Sequence, residues 1–446
     1  MDRVTNMSWQ TASGATLGGF AYEYDALGRI TSRSHALGTN AFDRVYSYDD
    51  LDRLSSDGDV AYTYDAAGNR MTRTDDGETI TYTLGVGDRL ASWTGGAYTH
   101  DIAGNVTRIE RDGKPTLDLT WNSQYQLVSV STNGVFAESY AYDALSRRVS
   151  TTTLEGTTRH VYDNNWQCVA DIDENGDVVA SYVWGEGIDK LLAVTIGVET
   201  YYPLTDIQGT VWGYVDSQNN IAARWQYDAW GNVISEEVAP SAAVLATLRY
   251  RFQGREWSVA TGLINFRMRW YDAESGRWLS KDPIRLSGGL NLYAFCGNAP
   301  ILYTDFMGLC VRENALNNAR KNIGSHEWDR DGGSGAWAGQ HKCNKFVADM
   351  YNTGRLINPI PTGFFGTKPP MAIDWYNGSR LPSGFSQTQM PTPGDVATDG
   401  GHMGIVSGDN TTISATPEAG VVENDWGFRE KGMGNRKDTR FYTYRK

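Results

Sequence analysis

One cysteine and one histidine in the last third of the sequence have the residue types and the setting that thiol chemistry requires. Cys343 opens a segment with apolar residues at positions 346, 347, 350 and 351, a spacing that predicts an amphipathic helix with the cysteine in its first turn. Unpaired N–H groups and the positive end of the helix dipole favour a thiolate there. His402 follows a glycine turn and is predicted to open the first strand of a β-hairpin. Because a histidine can take the thiol proton and let the thiolate attack a carbonyl, the pair predicts acyl-transfer chemistry.

A third group that orients the imidazole is expected on the second strand of that hairpin. Ser414 lies at the nearest register there, and looser alternatives are Asn410, Glu418 and Asp425. The opposing interpretation is that the cysteine is a small buried residue and the histidine a turn or core residue. A Pro-Gly-Asp-Val motif shortly before the histidine favours the catalytic interpretation.

The first two thirds of the chain repeat a tyrosine motif. Its clearest copies begin at Tyr22, Tyr62, Tyr140 and Trp225 and follow Tyr-x-Tyr-Asp-x-x-Gly-Arg or a close variant. Tyrosines at i and i+2 share one face of a strand, the aspartate side chain caps a tight turn, and glycine supplies a positive φ. Each unit therefore predicts a β-hairpin, and consecutive hairpins predict a continuous sheet that curls to bury an aromatic face. We expect the tyrosines to serve packing and cross-strand pairing rather than ligand binding.

These repeats resemble those of RHS and YD-repeat proteins over most of residues 18–309, and residues 250–309 resemble the RHS-associated core. The resemblance implies part of a polymorphic toxin, in which a hollow β-cocoon encloses a toxin. The expected fold class is a mainly β repeat shell, made of YD-repeat hairpins in a partial β-cocoon, followed by a small α+β domain. We expect a shell segment at 1–249, the core at 250–309 and a toxin domain at 310–446. Because family shells are several times longer, we expect a fragment or truncated copy.

In that family the core ends in Pro-x-x-x-x-Asp-Pro-x-Gly-Leu and is cut after the leucine by aspartates of the core, which act as an intramolecular aspartyl protease. Here the run from Asp305 to Leu309 reads Asp-Phe-Met-Gly-Leu, with Phe306 in place of the second proline. The resemblance implies self-cleavage after Leu309, with Asp282 as the partner of Asp305. Paired carboxylates can act as acid and base because like charges drive their pKa values apart. The alternative, that both aspartates only cap turns, stays open.

Residues 310–446 lose the tyrosine repeats and gain a different likeness. The helix-borne cysteine, the Pro-Gly-Asp-Val motif and a Gly-His-x-Gly-Ile-Val segment resemble the papain-like cell-wall hydrolases of the NlpC and CHAP type. The resemblance places Cys343 and His402 on the nucleophile and the base, and Ser414 is the nearest orienting group. It implies a cysteine-dependent peptidoglycan amidase or endopeptidase that works through a thioester.

Charge and composition exclude several classes of site. Residues 1–309 carry 24 Lys+Arg against 39 Asp+Glu, a net charge of −15, while residues 310–446 carry 16 against 14, or +2. The acidic part argues against a nucleic-acid surface, and we expect no nucleic-acid partner. Four cysteines without C-x-x-C spacing predict neither a metal site nor a disulfide framework, and no cofactor is expected. No run approaches the roughly 18 apolar residues of a membrane span, and we expect export by a route other than Sec.

The combined expectation is a secreted antibacterial effector, injected by a contact-dependent or type VI-like route, whose tail hydrolyses amide bonds of peptidoglycan in the periplasm. The expected partners are the peptidoglycan substrate, a cognate immunity protein and the secretion machinery. One alternative is an RHS toxin with a cytosolic target, such as a nuclease or transferase, although the tail has no basic stripe and no deaminase signature. Another is a non-catalytic remnant shell or adhesin.

Overall fold

The computed structural model describes residues 3–309, apart from 39, 165, 186–188 and 286–288, together with six strands between positions 385 and 444. The chain divides into two compact units. One consists of Arg3–Asp282 and Tyr293–Leu309. The other contains Cys310–Lys446 with Pro283–Leu292 and the first two residues.

A single antiparallel sheet of 23 strands makes up most of the first unit. Each strand pairs with the strands before and after it in sequence, from β1 with β2 to β22 with β23. The strands are β1 (Asn6–Gln10), β2 (Thr16–Tyr24), β3 (Ile30–Leu37), β4 (Asn40–Tyr48), β5 (Leu54–Asp57), β6 (Val60–Tyr64), β7 (Arg70–Asp75), β8 (Glu78–Leu84), β9 (Leu90–Trp93), β10 (Gly96–His100), β11 (Val106–Arg111), β12 (Leu117–Trp121), β13 (Leu127–Thr132), β14 (Val135–Tyr142), β15 (Arg148–Thr153), β16 (Gly156–Tyr162), β17 (Cys168–Ile172), β18 (Val178–Trp184), β19 (Leu191–Ile196), β20 (Glu199–Thr205), β21 (Val211–Val215), β22 (Ile221–Tyr227) and β23 (Val233–Val238).

The aspartate of each repeat builds the turn that follows it. Asp25 Oδ1 accepts hydrogen bonds from the backbone N–H groups of Leu27 and Arg29, both at 2.9 Å, and Asp25 Oδ2 accepts one from Arg29 Nε at 2.6 Å. Asp49 and Asp143 repeat this pattern with the arginine four residues on. Because the carboxylate fixes both the turn and the return strand, the hairpin prediction is confirmed.

The second aromatic residue of a repeat ties its strand to the one before. The hydroxyls of Tyr48, Tyr64 and Tyr142 each donate a 2.7 Å hydrogen bond to a backbone carbonyl on the preceding strand. At Trp121 and Trp184 the indole N–H makes the corresponding bond, also at 2.7 Å. The polar atoms of these aromatic side chains are hydrogen-bonded within the sheet, which confirms that the residues serve the structure.

The sheet curls until its early strands pack against late ones. Phe20 on β2 meets Trp212 on β21 edge to face, with ring centroids 5.4 Å apart. Leu37 packs with Leu204 and Val215 in one buried apolar cluster. In the part of the chain that the structure describes, no pairing joins β1 to β23, so the sheet stays open. The expectation of a mainly β repeat shell is confirmed.

Residues 250–282 and 293–309 pack against the buried face of this sheet. They include a small antiparallel sheet, and their side chains Leu263, Trp270 and Leu279 share a core with strands β8 to β14. Its strands are β24 (Glu256–Trp257), β25 (Ile264–Phe266), β26 (Arg269–Asp272) and β27 (Arg277–Trp278). Short 3₁₀ segments lie at Pro240–Thr247, Phe252–Gly254 and Phe295–Asn298. Apart from Pro283–Leu292, the core region therefore belongs to the same compact unit as the repeats.

The described part of the second unit is a six-stranded antiparallel sheet in the order β28, β33, β29, β30, β31, β32. The strands are β28 (Phe385–Thr388), β29 (Val396–Thr398), β30 (Met403–Gly408), β31 (Thr411–Thr416), β32 (Gly420–Asp425) and β33 (Arg440–Tyr444). The predicted hairpin is confirmed as β30 and β31. The predicted helices of the α+β domain lie outside the described residues.

Among the residues that the structure describes, no helix is both long enough and apolar enough to cross a membrane.

Candidate self-cleavage site

The structure places the two aspartates singled out from the sequence on one buried arginine. Asp282 and Asp305 are 4% and 2% exposed. Asp282 Oδ2 lies 3.1 Å from Arg269 Nη2, and Asp305 Oδ2 lies 3.2 Å from the same nitrogen. Although 22 residues separate them in sequence, the two carboxylates therefore meet across a single guanidinium group.

Residues 305–309, which we call the junction turn, repeat the turn chemistry of the shell. Asp305 Oδ1 accepts a hydrogen bond from Leu309 N–H at 2.7 Å, and the Asp305 carbonyl accepts one from Gly308 N–H at 3.2 Å. Asp25 makes the same two bonds, each at 2.9 Å, to the residues four and three positions on. The turn-cap interpretation of Asp305 is thus correct as far as its Oδ1 and backbone carbonyl are concerned.

The difference lies in the second carboxylate oxygen. In the first shell turn this oxygen binds the arginine four residues later, but in the junction turn that position is Leu309, which offers no side-chain donor. Asp305 Oδ2 turns to Arg269 instead, and Arg269 Nε donates to the Gly308 carbonyl. The guanidinium also lies 4.0 Å above the ring of Trp278. Arg269 therefore links both aspartates to the backbone just before the junction.

Arg269 was not among the residues predicted from the sequence, although the sequence contains a signal for its role. The residue opens a buried Arg-Trp-Tyr-Asp strand. An arginine is almost never fully buried unless it is paired, so its position in an apolar run predicts an acidic partner. The sequence alone could not say which of the many aspartates that partner would be.

Two glutamines anchor the segment that leads into the junction turn. Gln253 Nε2 donates to the carbonyls of Pro300 and Tyr303 at 3.3 and 3.2 Å, and its Oε1 accepts from Asp305 N–H at 3.4 Å. Gln208 Nε2 donates to the Pro300 carbonyl at 2.8 Å. Since backbone groups take most of these bonds, the approach of the chain to Asp305 is fixed largely without regard to side-chain identity.

The arrangement has the parts that peptide hydrolysis needs. Two neighbouring carboxylates can divide the acid and base roles of peptide hydrolysis, and here both bind the same Arg269 nitrogen. The hydrogen bond from Leu309 N–H to Asp305 Oδ1 brings that carboxylate within roughly 6 Å of the Leu309 carbonyl carbon, given ordinary bond lengths.

A second polar cluster, at His160, Cys168 and Asp171, has ligand atoms within 4.8 Å of one another. Arg249 Nη2 already fills it, at 3.0 Å from Cys168 Sγ and 2.7 Å from Asp171 Oδ1. Burial raises the pKa of the Cys168 thiol to about 12 and, with the Arg249 charge, lowers the pKa of His160 to about 4. The contact between His160 and Asp171 is therefore a hydrogen bond of a neutral imidazole, and the cluster is a structural network around Arg249.

The thiol residues predicted in the second unit are not placed together by the structure. Cys343 and His402 lie outside the described residues, and β30 begins at Met403, directly after the histidine. Ser414 lies on β31. The predicted thiol site stays a prediction.

Residues 7–301 match the family model described as Teneurin YD-shell, which covers well over half of the chain. This chain belongs to the Teneurin YD-shell family. The shared region is the curled repeat sheet with most of the core region packed against it, so the membership accounts for the first unit and stops before the junction turn.

Curated relatives of this YD-shell chain include a nuclease and a toxin by name. It is 31% identical over 256 residues to the tRNA3(Ser)-specific nuclease WapA of Bacillus spizizenii, a match that covers 55% of this chain and 11% of the relative. It is 29% identical over 325 residues to the double-stranded DNA deaminase toxin A of Burkholderia cenocepacia, covering 65% of this chain and 22% of that toxin. The chain thus spans a small fraction of these relatives. The likeness identifies it as a YD shell of the polymorphic-toxin type.

A solved structure shares the fold. The Photorhabdus luminescens Tc holotoxin pore, carrying the mutation TccC3-D651A, aligns with a TM-score of 0.57 at 20% identity, over 69% of this chain and 17% of that chain. The curled sheet is therefore an architecture known from a toxin assembly.

The relatives contradict one expectation. The activities in their names are directed at tRNA and double-stranded DNA. The expectation of a peptidoglycan substrate is therefore wrong by comparison with these relatives. The alternative expectation, a toxin with a cytosolic target, fits the activities in their names. The match to the family model ends at residue 301, so it concerns the shell and not residues 310–446, and a fold does not by itself fix an activity.

Proposed function

We propose that this chain is part of a secreted toxin and that its YD shell cuts the chain after Leu309, which releases residues 310–446. The observation that supports the proposal is the shared contact of Asp282 and Asp305 with Arg269, next to the Leu309 backbone. A turn cap alone would need neither Asp282 nor a buried arginine. The two carboxylates with their cation resemble a working acid/base pair more than two separate structural groups.

The proposed reaction is hydrolysis of the Leu309 peptide bond. One carboxylate takes a proton from water, and the water oxygen bonds to the Leu309 carbonyl carbon. The other carboxyl gives its proton to the amide nitrogen of Cys310 as the C–N bond breaks, leaving a Leu309 carboxylate and a Cys310 amine. Arg269 keeps both carboxylates in place and balances their charge while the proton moves between them.

The direct test is to express the full chain and determine the masses of its products. We expect two polypeptides, one that ends at Leu309 and one whose N-terminal residue is Cys310. A single chain of 446 residues after complete folding would contradict the proposal, as would a cut at any other bond. Sequencing the new N-terminus distinguishes self-cleavage at the junction from trimming by host proteases.

For the released segment we propose a cytosolic target, with Cys343 and His402 as a thiol nucleophile and base. The nuclease and deaminase activities in the names of the relatives support a target inside the cell. The earlier expectation of no nucleic-acid partner is dropped in this proposal. A chain that releases such a segment needs a cognate immunity protein in the producing cell and a secretion route, and both are part of the proposal.

The location and the nucleophile can be tested together in a Gram-negative host. The full chain is expressed in the cytoplasm and, separately, with an added export signal, each beside a Cys343→Ala variant. We expect growth arrest from the cytoplasmic form that the substitution abolishes. Lysis restricted to the exported form would contradict the cytosolic target, and equal toxicity of parent and variant would contradict the thiol nucleophile.

A further inference from the structure

Asp189 lies at the centre of a second set of contacts to the junction turn. It sits in the loop between β18 and β19, 78 residues before Arg267, which its carboxylate binds through both oxygens at 2.7 and 3.1 Å. Asp189 Oδ1 also forms an ion pair with Arg255. One carboxylate, 9% exposed, thus holds two arginines from the core region.

Both arginines donate hydrogen bonds to the same backbone atom, the Phe306 carbonyl oxygen. Arg267 Nη1 donates to the Phe306 carbonyl at 2.6 Å, and Arg255 Nη1 approaches the same oxygen at 3.4 Å. Phe306 is the second residue of the junction turn, directly after Asp305. The three residues Asp189, Arg255 and Arg267, which we call the carbonyl clamp, therefore fix the start of the turn whose other end carries the Leu309 peptide bond.

The clamp depends on its carboxylate because its two cations are close together and buried. The side chains of Arg255 and Arg267 are 2% and 8% exposed. Burial and the neighbouring charge of Arg267 lower the pKa of Arg255, which records a repulsion that Asp189 offsets. Without the negative charge, two desolvated guanidinium groups would repel each other and lose their common position on the Phe306 carbonyl.

The local backbone at Asp189 is also held in an uncommon conformation. Its φ is +62°, in the left-handed region that non-glycine residues rarely adopt. Such a conformation persists only where the surroundings impose it. The turn position just before the return strand has the same conformation at Asp52 and Asp88, with φ of +60° and +59°, so the turn imposes it and the loop thereby presents the Asp189 carboxylate to both arginines.

We propose that Asp189 is a positioning residue for self-cleavage: through Arg255 and Arg267 it holds the Phe306 carbonyl and so places the Leu309 peptide bond against Asp282 and Asp305. The inference rests on the proposed function. The positioning role of Asp189 also explains how the junction turn can carry Phe306 at the position where RHS proteins have proline. The clamp donates hydrogen bonds to a backbone carbonyl, which every residue possesses. These bonds restrict the turn at its second position, as a proline ring would there.

The test compares self-cleavage rates of the full chain in cell-free translation, with a labelled pulse followed by a chase. Asp189→Asn keeps the size of the side chain and removes its charge, and we expect cleavage about 10- to 100-fold slower than in the parent, the loss typical of a displaced reacting group. Adding Phe306→Pro to Asp189→Asn should recover at least part of the rate, because the ring fixes φ at the position that the clamp no longer holds.

Asp171→Asn is the matched control. Asp171 is a buried carboxylate that pairs with Arg249 and hydrogen-bonds His160 and Tyr182, and its recorded contacts do not include Arg255, Arg267 or the junction turn. We expect it to lower the melting temperature at least as much as Asp189→Asn while it leaves the cleavage rate within about twofold of the parent. A comparable slowing in both variants, or no rescue by proline, would assign Asp189 a structural role and overturn the inference.

The two proposals fail differently in this experiment. A parent chain that never cleaves overturns the proposed function and the inference with it. A parent that cleaves while Asp189→Asn cleaves at the same rate overturns the inference alone.

Discussion

Replacing either Asp282 or Asp305 with asparagine is expected to leave the chain as a single polypeptide, with self-cleavage slowed about a thousandfold or more. Asparagine keeps an oxygen that can accept the hydrogen bond from Leu309 N–H, so the turn should persist while the acid/base function is lost. The measurement is the fraction of chain cut after Leu309 over a translation time course, followed by mass spectrometry. Equal losses for the two variants would indicate that the carboxylates act as a pair.

Asp143→Asn is the control for this experiment. Asp143 caps a shell turn of the same kind, with two backbone N–H groups at 2.9 Å, and within the described part of the chain no second carboxylate pairs with its arginine. Asp143→Asn should cleave at the parental rate.

Cys310→Ala addresses a competing chemistry, in which the thiol after the junction attacks the Leu309 carbonyl. Loss of cleavage in Cys310→Ala, with Asp282→Asn still active, would refute the carboxylate mechanism.

Gly308→Ala is expected to slow self-cleavage about 100-fold while the shell stays folded. Gly308 has a φ of +71°, and a Cβ there would lie 2.7 Å from the Phe266 carbonyl oxygen and 3.1 Å from Arg269 N. A left-handed alanine costs roughly 1–2 kcal/mol before any clash. Since both neighbours are backbone atoms, the turn must move away from Arg269, and displacement of the scissile bond carries the larger part of the loss. The time course described for the aspartates measures it.

Gly262→Ala separates conformational strain from displacement. Gly262 belongs to the same core region and has nearly the same φ, +70°, but an added Cβ would meet nothing within 4 Å. Its backbone strain should therefore match that of Gly308→Ala while its cleavage rate stays parental. If both variants cleave slowly, strain in the core region and not the position of the junction turn limits the reaction.

The repeat sheet was predictable because its rules are local. An aspartate, a glycine three residues later and an arginine or asparagine after that specify a turn without help from the rest of the chain, as at Asp25 and Asp228. The hairpin at β30 and β31 was predictable for the same reason, since glycines and apolar residues alternate within a dozen positions.

The partners of the candidate site were predictable only in part. A resemblance paired Asp282 with Asp305, but the contacts of Arg269 and Asp189 depend on how the curled sheet brings distant segments together. Asp189 and Arg267 are 78 residues apart, and a spacing of that length has no signature in sequence. The sequence left two interpretations of Asp305 open, turn capping and catalysis. In the structure the two carboxylate oxygens of Asp305 face different partners, so the residue can serve both roles.

Among the described residues, the groups recorded in contact with the junction turn lie upstream of the bond proposed to be cut. Asp282, Asp305, Arg269 and the carbonyl clamp all precede residue 310. A gene that exchanged everything downstream by recombination at this point would keep every residue to which the proposed cleavage assigns a role. The proposed arrangement thus permits the payload to change while the releasing residues are passed on unaltered.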